Sequence, residues 1–213
     1  PDRIDAALTL ADLQRGRERY AEAVAAYDIA IGRLRKVDER HWPIYFGRGI
    51  ALERTKQWPK AEIDMKKALE LSPEQPHVLN YLGYSWVDQG LHLDQGMKML
   101  MQATALRPDD GAITDSVGWA FYRVGQFDKA VEWLERASEQ KGDDPTITEH
   151  LGDAYWHVGR KREARFEWER ALNQKPDKDR VPVIKDKIAN GINASNDKPT
   201  VYEEPATAPK QGG

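Results

Sequence analysis

The stretch EHLGDAYWHVGR, residues 149–160, holds two histidines, an aspartate and a glutamate within a dozen positions. Its reading decides between a catalytic or metal site and one turn of a larger pattern. As a helix, each residue turns about 100° and rises about 1.5 Å. Leu151 and Tyr155 then mark one side, and Glu149, Asp153, Trp156 and His157 point broadly the other way. His150 and His157 share an angle but stand about 10.5 Å apart along the axis. Zinc–nitrogen bonds are about 2 Å long, so the two histidines do not form a simple metal pair. Asp153 and His157, four apart, have ligand spacing, yet the sequence supplies no third ligand. No metal and no cofactor is expected.

The same stretch recurs along the chain. Gly83, Gly118 and Gly152 lie 35 and 34 residues apart, and Gly90, Gly125 and Gly159 repeat both spacings. Ala68, Ala103, Ala137 and Ala171 follow at 35, 34 and 34. A period of this length signals stacked supersecondary units. Within each period two amphipathic helices can be read. In the last, Ile147, Leu151, Tyr155 and Val158 share one face, Gly159 makes a turn, and Ala164, Trp168, Ala171 and Leu172 form a second stripe before Pro176. The preceding unit repeats this with Val117, Phe121, Gly125, Ala130, Leu134 and Ala137. Asp144 before Pro145 has the form of an N-cap with proline in the first turn. Mid-helix glycine costs roughly 1 kcal/mol against alanine, so close helix packing is the expected compensation.

LGYSW (82–86), VGWAF (117–121) and LGDAY (151–155), with Ala130/Leu134, Ala164/Trp168 and the closing prolines 73, 108 and 176, resemble the tetratricopeptide repeat. The resemblance covers about residues 4–178. It implies an all-α, right-handed superhelical solenoid of antiparallel helix pairs. Five repeats are expected at about 4–37, 42–75, 76–110, 111–144 and 145–178, all within 1–178. Ala11 stands in the first repeat where the others have glycine, and Gly96 stands in the third where alanine is usual. A capping helix is expected over 179–192, with Val183, Ile184 and Ile188 on one side, followed by a disordered tail over 193–213.

LNYLGYSWVDQG, LDQGMKMLMQATALRPDDGAITDSVGWAFYRVG and EHLGDAYWHVGRKREARFEWERAL also resemble the C-terminal repeats of bacterial envelope proteins of the LbcA type. Those lipoprotein adaptors bind carboxyl-terminal processing proteases and help deliver substrates. The resemblance implies a protease or its substrate as partner and a periplasmic or outer-membrane-associated location, with a cytoplasmic one as the alternative. The chain starts at Pro1 inside a helical pattern and reads as a fragment of a longer protein, so a leader or lipid anchor would lie upstream.

First helices line the concave side in this family. The resemblance therefore places Asn80, Tyr84, Asp115, Trp119, Tyr122, Arg123, Glu149, Asp153, Trp156 and His157 on a groove that binds a partner protein or peptide. Aromatic rings beside hydrogen-bonding groups suit such a surface. The other reading of Trp119 and Tyr122 is contact between adjacent repeats. Trp86, Phe121, Trp133, Tyr155 and Trp168 are expected in or near the core. The lysine–arginine–asparagine clamp of chaperone-binding members is not expected, because Asp12, Asp115, Glu149 and Asp153 make the groove acidic. The run KREAR (161–165) reads as a solvated face.

No catalytic apparatus is legible. Ser116 lacks a Gly-x-Ser-x-Gly elbow and an assignable histidine base. No phosphate-cradling glycine loop is present. The expected function is a non-catalytic interaction module; the alternatives are a self-associating envelope scaffold, hence a homo-oligomer, and a metal-dependent hydrolase. With 31% charged residues, a net charge of -3 and both signs interspersed, nothing suggests a nucleic-acid surface. No apolar run approaches the roughly 20 residues of a membrane span, so direct insertion is not expected. The absence of cysteine excludes disulfides and thiolate metal sites.

Overall fold

A computed structural model describes residues 4–197. Residues 198–213, the greater part of the expected tail, lie outside the described residues. Within them the chain is all-α. Its helices are α1 (Ile4–Gly16), α2 (Tyr20–Gly32), α3 (Trp42–Arg54), α4 (Trp58–Leu71), α5 (Pro76–Asp88), α6 (Leu93–Leu106), α7 (Gly111–Arg123), α8 (Phe127–Gln140), α9 (Pro145–His157), α10 (Lys161–Asn173) and α11 (Arg180–Asn190). A single 3-10 turn, Glu39–His41, occupies the extra residues between α2 and α3. Two compact units are distinguished, Pro1–Leu82 and Gly83–Gly213, with the division falling inside α5.

The periodic signals act through simple local chemistry. Asp110 and Asp144 cap α7 and α9, each accepting from the two backbone N–H groups two and three residues on. The turn seven residues after each small first-helix residue needs positive φ. Gly90, Gly125 and Gly159 supply it at +69°, +77° and +85°. Glu18 and Lys56 stand at that same position in the first two repeats, at +59° and +61°.

In the first unit α1 packs on α2, α2 on α3 and α3 on α4. Ala11, Ala23, Ala26, Tyr27, Ile44 and Ala51 form one buried cluster, and Tyr45, Ala68 and Val78 another. Arg48 ties three elements together, donating to Asp28 on α2 and, through two nitrogens, to the buried Asp64 on α4.

In the second unit α7 packs on α8, α8 on α9, α9 on α10 and α10 on α11. The core joins Trp119, Tyr122, Leu134, Leu151, Tyr155, Trp168 and Ile184. Small and large residues are matched across each pair: a methyl on Gly152 would lie 2.6 Å from the Trp168 ring. Gly96 departs from the usual alanine because its helix crosses Gly83 at backbone contact. A methyl there would meet the Gly83 carbonyl oxygen and a Val87 methyl, both at 2.9 Å. Of the aromatic residues expected in or near the core, Trp86, Tyr155 and Trp168 are buried, and Phe121 and Trp133 are half-buried.

Candidate functional site

In the second unit the residues expected on a groove are instead used between successive first helices. Asp115 on α7 holds the His150 ring of α9, with Nδ1 2.9 Å from Oδ1. That imidazole stacks on Trp119 at a centroid distance of 4.0 Å, and Trp119 stacks on Tyr122 at 4.7 Å. Arg123 pairs with Asp88, which also accepts from the Trp119 indole at 3.4 Å. One step further, Glu149 and Asp153 of α9 together grip Lys187 of α11, and Arg180 pairs with Glu149. Asp115, Trp119, Tyr122, Arg123, Glu149 and Asp153 are all buried. For these six the expected groove exposure is corrected: contacts with neighbouring helices bury them. Tyr84, Asn80 and Trp156 are half-buried, and His157 keeps part of its surface.

The expected loose tail is also tighter at its start. Asn193 to Asp197 close a turn in which the Asp197 backbone N–H donates to the Asn193 carbonyl. Asp197 then accepts from the Tyr122 hydroxyl at 2.8 Å and lies 3.3 Å from His157 Nε2. Asp153 and His157 thus face different partners. Among the described residues no three His, Asp or Glu side chains gather closely enough to hold a metal ion. The KREAR run is not merely solvated, since Lys161 and Arg165 lie over the Trp156 ring at 3.8 and 5.1 Å.

The electrostatics fit this structural role. Burial alone would lower the His150 pKa, but the Asp115 carboxylate outweighs it and the net shift is upward. Burial likewise works against Lys187 as a cation, yet Asp153 and Glu149 raise its pKa. Burial would raise Glu149; Lys187 and Arg180 reverse that and hold it below its usual range. Asp153, fully enclosed, is raised by burial despite Lys187.

The first unit contains a site of different character. Number each repeat from the small residue of its first helix: Ala11, Gly49, Gly83, Gly118, Gly152. The Tyr27 hydroxyl donates to Asp12 Oδ1 at 2.6 Å, fifteen residues apart. The Trp168 indole donates to Asp153 at 2.9 Å across the same separation and at the same repeat positions. Burial, then the Asp12 hydrogen bond, push the Tyr27 phenol up to about 12. Arg15 Nε donates to the Tyr27 oxygen at 3.2 Å. Around this trio Leu8, Trp42, Ile44, Phe46, Gly47 and Ile50 enclose a cavity of about 260 Å³. Its walls are mainly apolar and a carboxylate, a guanidinium and a phenol sit at its polar end, a mixture suited to binding one side chain. Of this group only Asp12 stands out in the sequence, by its negative charge. The signal for the rest was the shared fifteen-residue spacing and the unusual Gly47 two positions before Gly49.

Comparison with known proteins agrees with this architecture. The family model described as tetratricopeptide repeat matches residues 8–76 and 118–179. TPR repeat-containing protein PA4667 of Pseudomonas aeruginosa is 32% identical over 87 residues, which is 41% of this chain and 15% of that protein. The chain therefore matches only a small part of that relative's length. Among solved structures, Pseudomonas aeruginosa PilF superposes with a TM-score of 0.71 at 16% identity, covering 87% of this chain and 82% of PilF. YrrB, described as a TPR protein with an unusual peptide-binding site, superposes at 0.58 and 20% identity over 81% of this chain and 86% of its own. These two likenesses concern the fold alone. With matched segments covering more than half its residues, the chain belongs to the tetratricopeptide repeat family.

Proposed function

We propose that this protein–protein interaction module is an adaptor that holds a carboxyl-terminal processing protease, or that protease's substrate, in the bacterial envelope. The observation that carries the interaction role is the repeat fold itself, matched by the family model over two long segments. Two further points support the narrower role. Residues 79–90, 93–125 and 149–172 resemble the adaptor group, and the 32% identical relative is a bacterial repeat protein. YrrB, whose description names a peptide-binding site, supports a polypeptide as the class of ligand. The mechanism is non-catalytic. Ion pairs and ring stacks between α7, α9 and α11 fix these helices before any partner arrives, so little conformational freedom is lost on binding. Direct contact then falls to side chains outside the buried stripe.

The test is co-elution of the purified full chain with a carboxyl-terminal processing protease of the source bacterium, followed by cleavage assays. The reading expects a complex and faster cleavage of the protease's substrates in its presence. Separate elution with unchanged cleavage overturns the adaptor role, and a homo-oligomer in the same runs would favour the scaffold.

A further inference from the structure

Between several successive first helices a side chain of the later helix packs onto the earlier one. On α5 and α9 that residue stands two positions before the small residue; on α7 the same position is Ser116, which donates to the Ala112 carbonyl of its own helix. From α5, Tyr81 meets Phe46 of α3 edge-on at 5.9 Å. From α9, His150 lies on Trp119 and bonds Asp115. On α11 the equivalent place is held by Ile184, fully buried, with Lys187 beside it on Asp153 and Glu149. Between α1 and α3 the corresponding residue is Gly47. The Tyr27 ring packs against Gly47, where an added methyl would collide with it, and the cavity of about 260 Å³ opens beside them, lined by Leu8, Asp12, Tyr27 and Gly47.

We propose that the α1–α3 slot binds an aromatic side chain bearing an N–H or O–H donor, tryptophan, tyrosine or histidine, supplied by a partner polypeptide. This rests on the reading of the protein as a polypeptide binder and specifies one contact. The chain's own slots supply the chemistry: two are filled by rings, and His150 shows a ring nitrogen on a carboxylate. Trp42 and Phe46 offer ring walls, and the Asp12 carboxylate is more than half exposed and open to a donor. Arg15 lies 3.4 Å from the same carboxylate. The pair is neutral overall, which favours an uncharged ring over a lysine head in the slot.

Two measurements decide it. Titration of the full chain with N-acetyl-tryptophanamide, followed by amide NMR, decides the slot. Saturable shifts at Leu8, Asp12, Gly47 and Ile50, absent with N-acetyl-leucinamide, support it; no shifts there, or equal shifts with both, overturn it. Panning displayed random dodecapeptides on the full chain decides the wider reading. Aromatic-rich peptides weakened tenfold or more by Asp12→Asn and by the slot-filling Ile50→Trp support the slot. Peptides that bind but ignore both changes overturn the slot and leave polypeptide binding intact. Failure to enrich any peptide overturns polypeptide binding, whatever the fragment does.

Discussion

The Lys187 ammonium lies 2.6 Å from Asp153 Oδ2 and 2.7 Å from Glu149 Oε1, with all three side chains almost wholly removed from solvent. The cation answers two carboxylates on α9 and so fastens α11 to the last repeat. Removing one member of a buried ion cluster leaves its partners uncompensated and typically costs about 3–5 kcal/mol. Lys187→Met should lower stability by about that amount in urea unfolding. Adding Asp153→Asn should recover part of the loss, because the uncompensated charge then goes. A single change that costs nothing would mean the cluster is solvated.

His150 gives a pH signature. Its folded pKa is raised above the unfolded value by Asp115, with Glu149 and Asp153 adding to the effect. Below an unfolded value of about 6.5 the ring is protonated in both states and its stabilisation is fully present. As pH rises through the folded value the native ring loses its proton and the contribution disappears. Urea midpoints at pH 6 and pH 9 should therefore fall more in the natural protein than in His150→Phe, which keeps a ring on Trp119. Parallel falls would show that the pair contributes no charge interaction.

Glycines at equal sequence value should behave oppositely. A methyl at Gly83 would sit 2.9 Å from the Gly96 carbonyl oxygen, which is backbone and cannot rotate away. Gly83→Ala should destabilise by about 1–3 kcal/mol, the range of overpacking. Gly32, at the end of α2, has nothing within 4 Å of the same added methyl. Gly32→Ala should raise stability by up to about 1 kcal/mol through helix propensity. Thermal unfolding of both variants checks the pair of signs.

Lys56 carries the positive φ that glycine supplies in three later repeats. The left-handed conformation costs a non-glycine residue roughly 1–2 kcal/mol, offset in part by the greater freedom of glycine in the unfolded chain. Lys56→Gly should stabilise by about 0.5–1 kcal/mol, read as a higher melting temperature. A lower one would show that the side chain holds the turn.

Much of the fold was legible because its causes are local. Asp144 caps α9 through atoms two and three residues away, and Gly125 turns the chain by its own φ. The recurring glycine at Gly152 signals close helix packing within one repeat, and the structure supplies its partner, Trp168. The candidate site was legible only in composition. Trp119, Glu149 and Asp153 stand out in the sequence as a polar and aromatic stripe, but their burial depends on residues 31–38 positions further on. Gly47, which makes room for the Tyr27 ring, is not legible in the period because the contact joins two different repeats.

The sequence by itself determined the helices, their turns, their pairing and the small-to-large matching inside each repeat. These follow from hydrophobic period, backbone preference and volume, all carried by neighbouring residues. Only the tertiary structure decided which stretches of the first-helix stripe are closed and which is open. That outcome turns on whether the next helix brings His150, Lys187 or Gly47 to the slot, and on the steep cost of leaving a buried carboxylate unpaired.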